Sequence, residues 1–278
     1  MGNIVWLASY PKSGNTWVRA FLLNLMTDAK EPVDINKMAA LTQGDSQAIW
    51  YAQFDARPPT ALGPEDLARL RPKVHARIAA GSADSVFVKT HNALVEVAGA
   101  AMISRSETAG VIYVVRNPLD VALSYADHLG TPVDDIIALM AERGFETPGS
   151  ASHVPEHHSD WSSHVKSWTQ VSHPALHVVR YEDMASRPAP TFAAIARFIG
   201  LDPPREKLLR VVRFSSFKVL RAQEIKYGFV ERTPVQKHFF RAGKSGNWRQ
   251  QLTKAQVRRV LDVHREQMER FDYVPRGY

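Results

Sequence analysis

The architecture of this chain follows from the stretch Ile4-Val-Trp-Leu-Ala-Ser-Tyr-Pro-Lys-Ser-Gly-Asn-Thr-Trp17, in which an apolar run becomes a helix through a short cationic turn. The first residues favour a buried strand, and the last begin a helical pattern. A turn that ends at a helix N-terminus presents unpaired backbone N–H groups and the positive end of the helix dipole. Such a turn binds an anion, so the stretch predicts a phosphate cradle.

This cradle differs from the usual triphosphate-binding loop, G-x-x-x-x-G-K-[ST], in which a lysine follows the second glycine. Here Ala8 occupies the first glycine position and Asn15 the lysine position, while Gly14 and Thr16 match the pattern. Lys12 lies two residues before the glycine. This displacement argues against Mg-dependent triphosphate hydrolysis and for a nucleotide whose transferable group lies elsewhere.

The composition indicates an ordinary globular protein, with 278 residues, 45% hydrophobic and 23% charged. We expect one domain over residues 1–278, because α/β folds reach about 250 residues as a single unit. The absence of cysteine excludes disulfides, thiol catalysis and Cys-ligated zinc. No run approaches the ~18 to 20 apolar residues of a membrane span. No secretory pattern stands near the N-terminus either, so we expect a cytoplasmic protein.

The charge balance indicates anionic partners, since 35 basic residues face 28 acidic ones and the sequence pI is about 9.6. The basic residues are spread along the chain, and no nucleic-acid module is present. We therefore expect an enzyme acting on anionic small molecules, with no nucleic acid as partner. His157 and His158 lack metal-ligand spacing, so we expect no metal and assign them to a loop or an acceptor pocket.

The hydrophobic periodicity predicts an α/β fold of the P-loop type, with three layers and a central, mostly parallel sheet flanked by helices. Predicted strands lie at about 3–8, 85–89, 111–115 and 176–180. Predicted helices lie at about 15–27, 65–80, 118–129, 132–143, 160–172, 189–200 and 253–271. Segments 31–64, 144–159 and 222–250 are predicted loops. Since ligands bind at the carboxyl ends of parallel strands, the motifs that follow these strands should converge on one crevice.

Two of these strand ends carry chemistry. Arg116 follows a buried strand and could grip a phosphate, together with Ser124 two helical turns later, or could instead pair with a carboxylate such as Asp120. At the other strand end, Lys89 and His91 are two residues apart and point to the same side of an extended chain. A histidine there can accept a hydroxyl proton near neutral pH, and the lysine can stabilise a charge in transfer.

The late segment Phe239-Phe-Arg-Ala-Gly-Lys-Ser-Gly-Asn-Trp-Arg249 is basic, flanked by aromatic residues and spaced by glycines. Gly243 and Gly246 would let backbone N–H groups approach a phosphate closely. On its own, the segment fits a flexible surface loop equally well.

Together these segments resemble the sulfotransferases that use 3′-phosphoadenosine 5′-phosphosulfate (PAPS), in particular the cytosolic type. Tyr10–Trp17 is similar to the 5′-phosphosulfate loop of that family, Arg116–Ser124 to its 3′-phosphate motif, Lys89–His91 to its catalytic strand end and Arg241–Trp248 to its closing loop. Tyr181-Glu-Asp-Met184 and Ser215-Ser-Phe217 follow the family order as well. The resemblance spans about residues 3–250.

The resemblance implies sulfuryl transfer from PAPS to a hydroxyl or amine of a small-molecule acceptor, with release of 3′-phosphoadenosine 5′-phosphate (PAP) and without a metal. His91 would be the general base, and Lys12 and Lys89 would assist catalysis. Trp17 and Phe217 would stack on the adenine. The implied donor-binding set is Lys12, Ser13, Gly14, Asn15, Thr16, Trp17, Arg116, Ser124, Tyr181, Ser215, Phe217, Arg241, Ala242 and Gly243.

Some features depart from the family pattern. Ala242 replaces the usual lysine of the closing loop, and Asn92-Ala93 replaces the usual Leu-Pro after the histidine. Two alternatives stay open from the residues alone: a P-loop kinase or NTPase, and a non-catalytic anion or nucleic-acid binder. The sequence specifies neither the acceptor nor the oligomeric state.

Overall fold

A computed structural model describes residues 2–241 and 243–278 of the chain. Within these residues, five strands form one parallel sheet in the order β2-β3-β1-β6-β7. Its strands are β1 (Ile4–Ser9), β2 (Thr42–Gly44), β3 (Val86–Thr90), β6 (Thr108–Val115) and β7 (Leu176–Arg180). The strands β4 (Glu96–Val97) and β5 (Ala100–Ala101) form a small antiparallel hairpin apart from it.

The central strand β1 is buried along its whole length, as expected for a parallel strand that is covered on both faces. Its alternate side chains enter two different hydrophobic clusters. Trp6 packs into one cluster, together with Ile4 and Ala8. Leu7 packs into the other, together with Val5. The two clusters are the two faces of the sheet, and each face is covered by helices.

The helices begin and end as follows: α1 (Asn15–Met26), α2 (Ala48–Tyr51), α3 (Pro64–Ala79), α4 (Pro118–Leu129), α5 (Val133–Met140), α6 (Trp161–Thr169), α7 (Tyr181–Ser186), α8 (Pro188–Phe198), α9 (Arg205–Phe214), α10 (Phe217–Tyr227), α11 (Trp248–Gln251) and α12 (Lys254–Arg270). Helices α1, α8 and α9 cover the Leu7 face of the sheet. Helices α3, α4, α6 and α12 cover the Trp6 face. The predicted three-layer α/β fold is therefore confirmed.

The predicted strands are confirmed, but two predicted loops contain regular structure. Strand β2 lies inside segment 31–64, where three residues of mixed polarity give no periodic signal and only pairing with β3 defines the strand. Helix α10 extends to Tyr227, so the predicted loop 222–250 is wrong at its start. That helix carries a weak amphipathic pattern, and its position depends on packing rather than on its own sequence.

The parallel arrangement brings the carboxyl ends of all five strands to one edge of the sheet, and four of them precede candidate site residues. Strand β1 ends at Ser9, β3 at Thr90, β6 at Val115 and β7 at Arg180. Since β1 lies between β3 and β6, the cradle is flanked by the motifs that follow those two strands. The predicted convergence of the motifs on one crevice is confirmed. Within the described residues, no helix is both long and apolar enough to cross a membrane.

Candidate active site

The turn between β1 and α1 has the backbone geometry of an anion cradle. Gly14 caps the helix at φ 108°, a conformation that favours glycine. A Cβ atom placed there would lie 2.7 Å from Cδ2 of Tyr181. In the part of the chain that the structure describes, the amides of residues 13–16 donate no hydrogen bond to the protein. These amides are therefore available to a bound anion at the helix N-terminus.

Lys12 occupies the left-handed region at φ 65°, which is uncommon for a residue with a side chain. Its carbonyl oxygen accepts a hydrogen bond of 2.8 Å from Nη1 of Arg116, and this bond ties the turn to the end of β6. Its ammonium lies 4.2 Å from the ring centroid of Phe239. Burial, together with the nearby charge of Arg116, lowers the pKa of this ammonium to about 8. The lysine is thus held close to a second cation.

The cations at this edge lack anionic partners. Among the described residues, no carboxylate lies within 4.0 Å of a nitrogen of Lys12, Lys89 or Arg116. Both Lys12 and Arg116 are largely buried, and Nε of Arg116 makes no hydrogen bond to the described part of the chain. Burying an unpaired cation costs several kcal/mol of folding free energy. This cost is similar to that of removing one partner from a buried ion pair. The arrangement is therefore suited to a polyanionic ligand.

The guanidinium of Arg116 stacks on the ring of Tyr181, with 4.2 Å between its carbon and the ring centroid. The alternative that Arg116 pairs with Asp120 is wrong. The carboxylate of Asp120 instead accepts hydrogen bonds from the backbone amides of Gly246, at 2.6 Å, and Trp248, at 3.1 Å. Ser124, one turn beyond Asp120, is half-buried on α4. Helix α4 thus both anchors the late glycine-containing loop and leaves Arg116 free.

His91 follows β3 and has one ring nitrogen fixed by the backbone. Its Nδ1 lies 2.7 Å from the carbonyl oxygen of Ser9. A carbonyl only accepts, so Nδ1 carries the hydrogen and Nε2 keeps its lone pair. Burial lowers the pKa of His91 well below its usual value, and the charge of Lys89 lowers it further. The imidazole is therefore neutral at physiological pH, with Nε2 in the state that accepts a proton.

Glu156 and His158 lie beside His91 and were not singled out for any catalytic function from the sequence. The rings of His158 and His91 are 6.2 Å apart between centroids. Nε2 of His158 lies 3.3 Å from Oε2 of Glu156. Burial alone would raise the pKa of the Glu156 carboxyl, but the hydrogen bond from His158 and the charge of Lys89 lower it well below its usual value. No periodicity in segment 144–159 signals these side chains, because a loop positions them.

The late loop closes over the cradle through its aromatic residues. Phe239 covers Lys12, and Phe240 is buried against α1 and α10. Gly243 lies so close to Phe217 that a Cβ atom would be 2.2 Å from the ring. Nε of Arg241 lies 4.0 Å from Oδ1 of Asp127. Ala242, which the sequence placed in the same binding set, lies outside the described residues.

The family model described as the sulfotransferase domain matches residues 3–272 of the chain. This chain belongs to the sulfotransferase family. The resemblance drawn from the four motifs is thereby confirmed, and the family match favours sulfuryl transfer over phosphoryl transfer. In the described part of the chain, no cluster of three or more His, Cys, Asp or Glu residues could hold a metal ion.

Curated sulfotransferases are similar to the chain over most of its length. A flavonol 3-sulfotransferase of Flaveria bidentis is 26% identical over 280 residues, covering 93% of this chain and 79% of that protein. Sulfotransferase 1A1 of Canis lupus familiaris is 27% identical over 278 residues, covering 95% of this chain and 82% of that protein.

Solved sulfotransferase structures share the fold. Retinol dehydratase in complex with androsterone and the inactive cofactor PAP aligns with a TM-score of 0.67 at 19% identity, covering 99% of this chain and 83% of that one. Mouse sulfotransferase SULT7A1 complexed with PAP aligns with a TM-score of 0.62 at 22% identity, covering 97% of this chain and 86% of that one. At these identities the likeness establishes the architecture.

Several side chains that the sulfotransferase motifs assign to the donor also have structural partners. The side-chain amide of Asn15 donates to the carbonyl of Leu7 at 2.7 Å, which pins the helix start to β1. The hydroxyl of Ser215 donates to the carbonyl of Val211 at 2.9 Å within α9. By contrast, the hydroxyl of Ser13 and the indole N–H of Trp17 are buried and have no hydrogen-bond partner within residues 2–241 and 243–278. The donor-binding roles of these residues stay predictions.

Proposed function

We propose that this sulfotransferase transfers the sulfuryl group of PAPS to a hydroxyl or amine of a small-molecule acceptor and releases PAP. One observation carries the proposal: Lys12, Lys89 and Arg116 meet without anionic partners beside a neutral His91. Family membership adds the type of group transferred. A cationic hollow with an adjacent proton acceptor is what transfer from a polyanionic donor requires.

The donor lies with its phosphosulfate in the cradle and its 3′-phosphate near Arg116. The phosphosulfate is held by the backbone amides of Ser13 to Thr16 and by the Lys12 ammonium. Ser124, Arg241 and the backbone of Gly243 complete the second site, with Arg241 leaving Asp127 to reach it. Trp17 and Phe217 stack on the adenine, and Tyr181 and Ser215 border it. The unpaired polar atoms of Ser13 and Arg116 support this placement.

In the reaction, a new bond forms between the acceptor oxygen or nitrogen and sulfur, while the bond from sulfur to the bridging phosphate oxygen breaks. His91 takes the acceptor proton at Nε2, since Nδ1 stays bound to Ser9. Lys12 stabilises the charge that develops on the leaving oxygen, and Lys89 stabilises the group in transfer. Glu156 and His158 form the wall of the acceptor side. A flavonol sulfotransferase among the relatives supports an organic hydroxyl as acceptor.

Thermal unfolding with three ligands tests the donor assignment. PAP at about 100 times its Kd should raise the free energy of unfolding by about 2.7 kcal/mol. ATP with Mg²⁺ and an oligonucleotide should stabilise less at equal concentration. Arg116→Met should abolish the effect of PAP, whereas Arg105→Met, on an exposed arginine, should retain it. If ATP with Mg²⁺ stabilised the protein more than PAP does, the result would indicate a kinase. If the oligonucleotide did so, the result would indicate a nucleic-acid binder.

Mass spectrometry tests the transfer itself. With PAPS and a panel of phenols, alcohols, sugars and amines, at least one acceptor should gain the mass of one sulfuryl group. The product should form much more slowly when either His91 or Lys12 is replaced. If no acceptor class gained this mass while PAP still bound, the assignment of the acceptor as a small molecule would be wrong.

A further inference from the structure

A small cavity lies on the other side of the 144–159 segment from His91. Its volume is about 50 Å³, and a water molecule needs about 10–15 Å³ by the same measure. Its walls come from α3, the β4–β5 hairpin and that segment, and most of them are apolar. They include Leu62, Leu67, Val97, Met102 and Pro155. The space therefore holds several water molecules or one small organic group.

The buried charged group in this wall is the guanidinium of Arg71. The residue is 3% exposed, and its Nη1 is buried without a hydrogen-bond partner among the residues that the structure describes. Among the described residues, no carboxylate lies within 4.0 Å of it. The buried carboxylate of Asp45 is engaged by the side chains of Thr90 and Asn92. Arg71 is thus a buried cation that faces a cavity without a counter-ion.

Such a group requires an explanation, because a guanidinium stays charged and an unpaired buried charge is costly. Glu146 also lines the cavity, but its Oε1 lies 2.9 Å from Nδ1 of His157. This contact holds the Glu146 carboxylate at His157, and among the described residues no carboxylate oxygen lies within 4.0 Å of Arg71. A bound anion would supply the missing partner, with two parallel N–H···O bonds to the guanidinium.

The chemistry of the walls selects the anion. One guanidinium balances one negative charge, and His157, the imidazole among the described lining residues, is engaged by Glu146. A dianion such as phosphate would lack a second cation there. The apolar walls, in turn, favour carbon over water around the rest of the ligand. A carboxylate with a short apolar tail meets both conditions.

We propose that this cavity, lined by Arg71, Leu67 and Met102, binds a small organic carboxylate whose oxygens pair with Arg71. The cavity shares its wall with the active site. Pro155 and His157 line the cavity, while Glu156 and His158 lie on the His91 side. A ligand in the cavity would therefore contact the same segment that carries the acceptor wall beside His91.

Butyrate is a suitable probe, and its binding is measured without PAPS or any acceptor. Sodium butyrate should stabilise the full-length protein against thermal unfolding in a saturable way. Sodium chloride at the same ionic strength and butanol should not. Arg71→Met should weaken butyrate binding at least about tenfold, since a charged hydrogen-bonded pair is lost. Arg105→Met should bind as the wild type does. The proposal would be overturned if chloride or butanol stabilised the protein as much as butyrate does, if the butyrate effect did not saturate, or if Arg71→Met bound butyrate as the wild type does.

A second variant guards against misfolding of Arg71→Met. Ala68→Leu keeps the guanidinium but narrows the cavity, since Ala68 lines it. Titration of ¹³C-labelled butyrate into wild type and Ala68→Leu, followed by NMR, should show binding to the wild type and loss in the variant. Equal binding by both proteins would place butyrate elsewhere. PAP should bind both proteins equally, which separates this test from that of the donor site.

The carboxylate can be a separate ligand or one end of the acceptor, and kinetics distinguish these sources. This kinetic test rests on the proposed transfer reaction. ω-Hydroxy carboxylates of increasing length are offered with PAPS, beside the corresponding hydroxy amides. If the carboxylate belongs to the acceptor, Arg71→Met should raise KM for one chain length of the acids and leave the amides unchanged. If it is a separate ligand, butyrate binds but no acid is preferred. If butyrate does not bind and none of the acids is preferred, the proposed carboxylate site is wrong.

Discussion

At the scale of single residues, His91 combines a fixed tautomer with a free ring nitrogen. We predict that His91→Ala retains PAP affinity but loses turnover by about 10² to 10⁴-fold, the usual contribution of a general base. Steady-state rates at saturating PAPS, together with a PAP titration, measure the two quantities separately. His173→Ala, at an exposed histidine, serves as the matched control. A parallel fall in PAP affinity and rate would contradict a role confined to proton transfer.

Lys12 illustrates a conflict between stability and ligand binding. Its pKa is about 8 in the folded protein and near 10.4 in an unfolded chain. The unfolded state therefore holds more protons between these pH values, so this group makes the fold more stable as the pH rises from about 8 to about 10. We predict that Lys12→Met increases the free energy of unfolding at pH 7, by up to about 3 kcal/mol. The gain should shrink at pH 10.

Urea unfolding at both pH values measures this difference, with Lys73→Met at an exposed position as control. PAP affinity should show the opposite trend. The wild type should lose affinity above pH 8, as the ammonium deprotonates, and Lys12→Met should bind weakly at every pH. If Lys12→Met were no more stable than the wild type at pH 7, burial of the Lys12 ammonium would not destabilise the fold.

At the scale of elements, helix α4 holds the backbone of the late loop through the carboxylate of Asp120. Asp120 accepts from the amides of Gly246 and Trp248, while Asp127 on the same helix lies 4.0 Å from the side chain of Arg241. We predict that Asp120→Ala destabilises the protein by about 1–3 kcal/mol, because two amides lose their partner. It should also weaken PAP binding, since Arg241 and Gly243 lie on that loop. Asp135→Ala, at an exposed acid of α5, should do neither.

Calorimetric unfolding and PAP titration measure these effects. The comparison also separates anchoring from catalysis, because turnover at saturating PAPS should fall less than affinity does. If Asp120→Ala lost turnover but retained PAP affinity, the carboxylate would belong to the reaction rather than to the loop.

At the scale of the whole molecule, ligand binding should reveal which parts of the chain meet at the carboxyl edge of the sheet. We predict that PAP slows amide hydrogen exchange in three separate stretches: residues 10–17, 116–124 and 239–247. The first two stretches follow the neighbouring strands β1 and β6, and the third is held beside them by Asp120 of α4. The β4–β5 hairpin should exchange at its original rate. Mass spectrometry of exchanged peptides measures all regions at once, and protection confined to the hairpin would contradict the donor site.

Much of this molecule could be predicted from local sequence. The strand, turn and helix at residues 4–17 need only a buried apolar run, a glycine at positive φ and a helical pattern, all of which are local properties. The parallel sheet follows from the alternation of such units, and the sheet in turn brings Lys89, His91 and Arg116 to one edge. These features are fixed by residues close to one another in the chain.

What local sequence left open depends on contacts between distant segments. Strand β2 exists because it pairs with β3, and Asp120 binds the late loop rather than Arg116 because that loop passes over α4. The sequence by itself therefore determined the sulfotransferase fold and the cationic site. Only the tertiary structure decided that Glu156 and His158 face His91 and that Arg71 faces a cavity. Loop positions and counter-ions depend on packing across the whole chain, and no periodic pattern in the sequence records them.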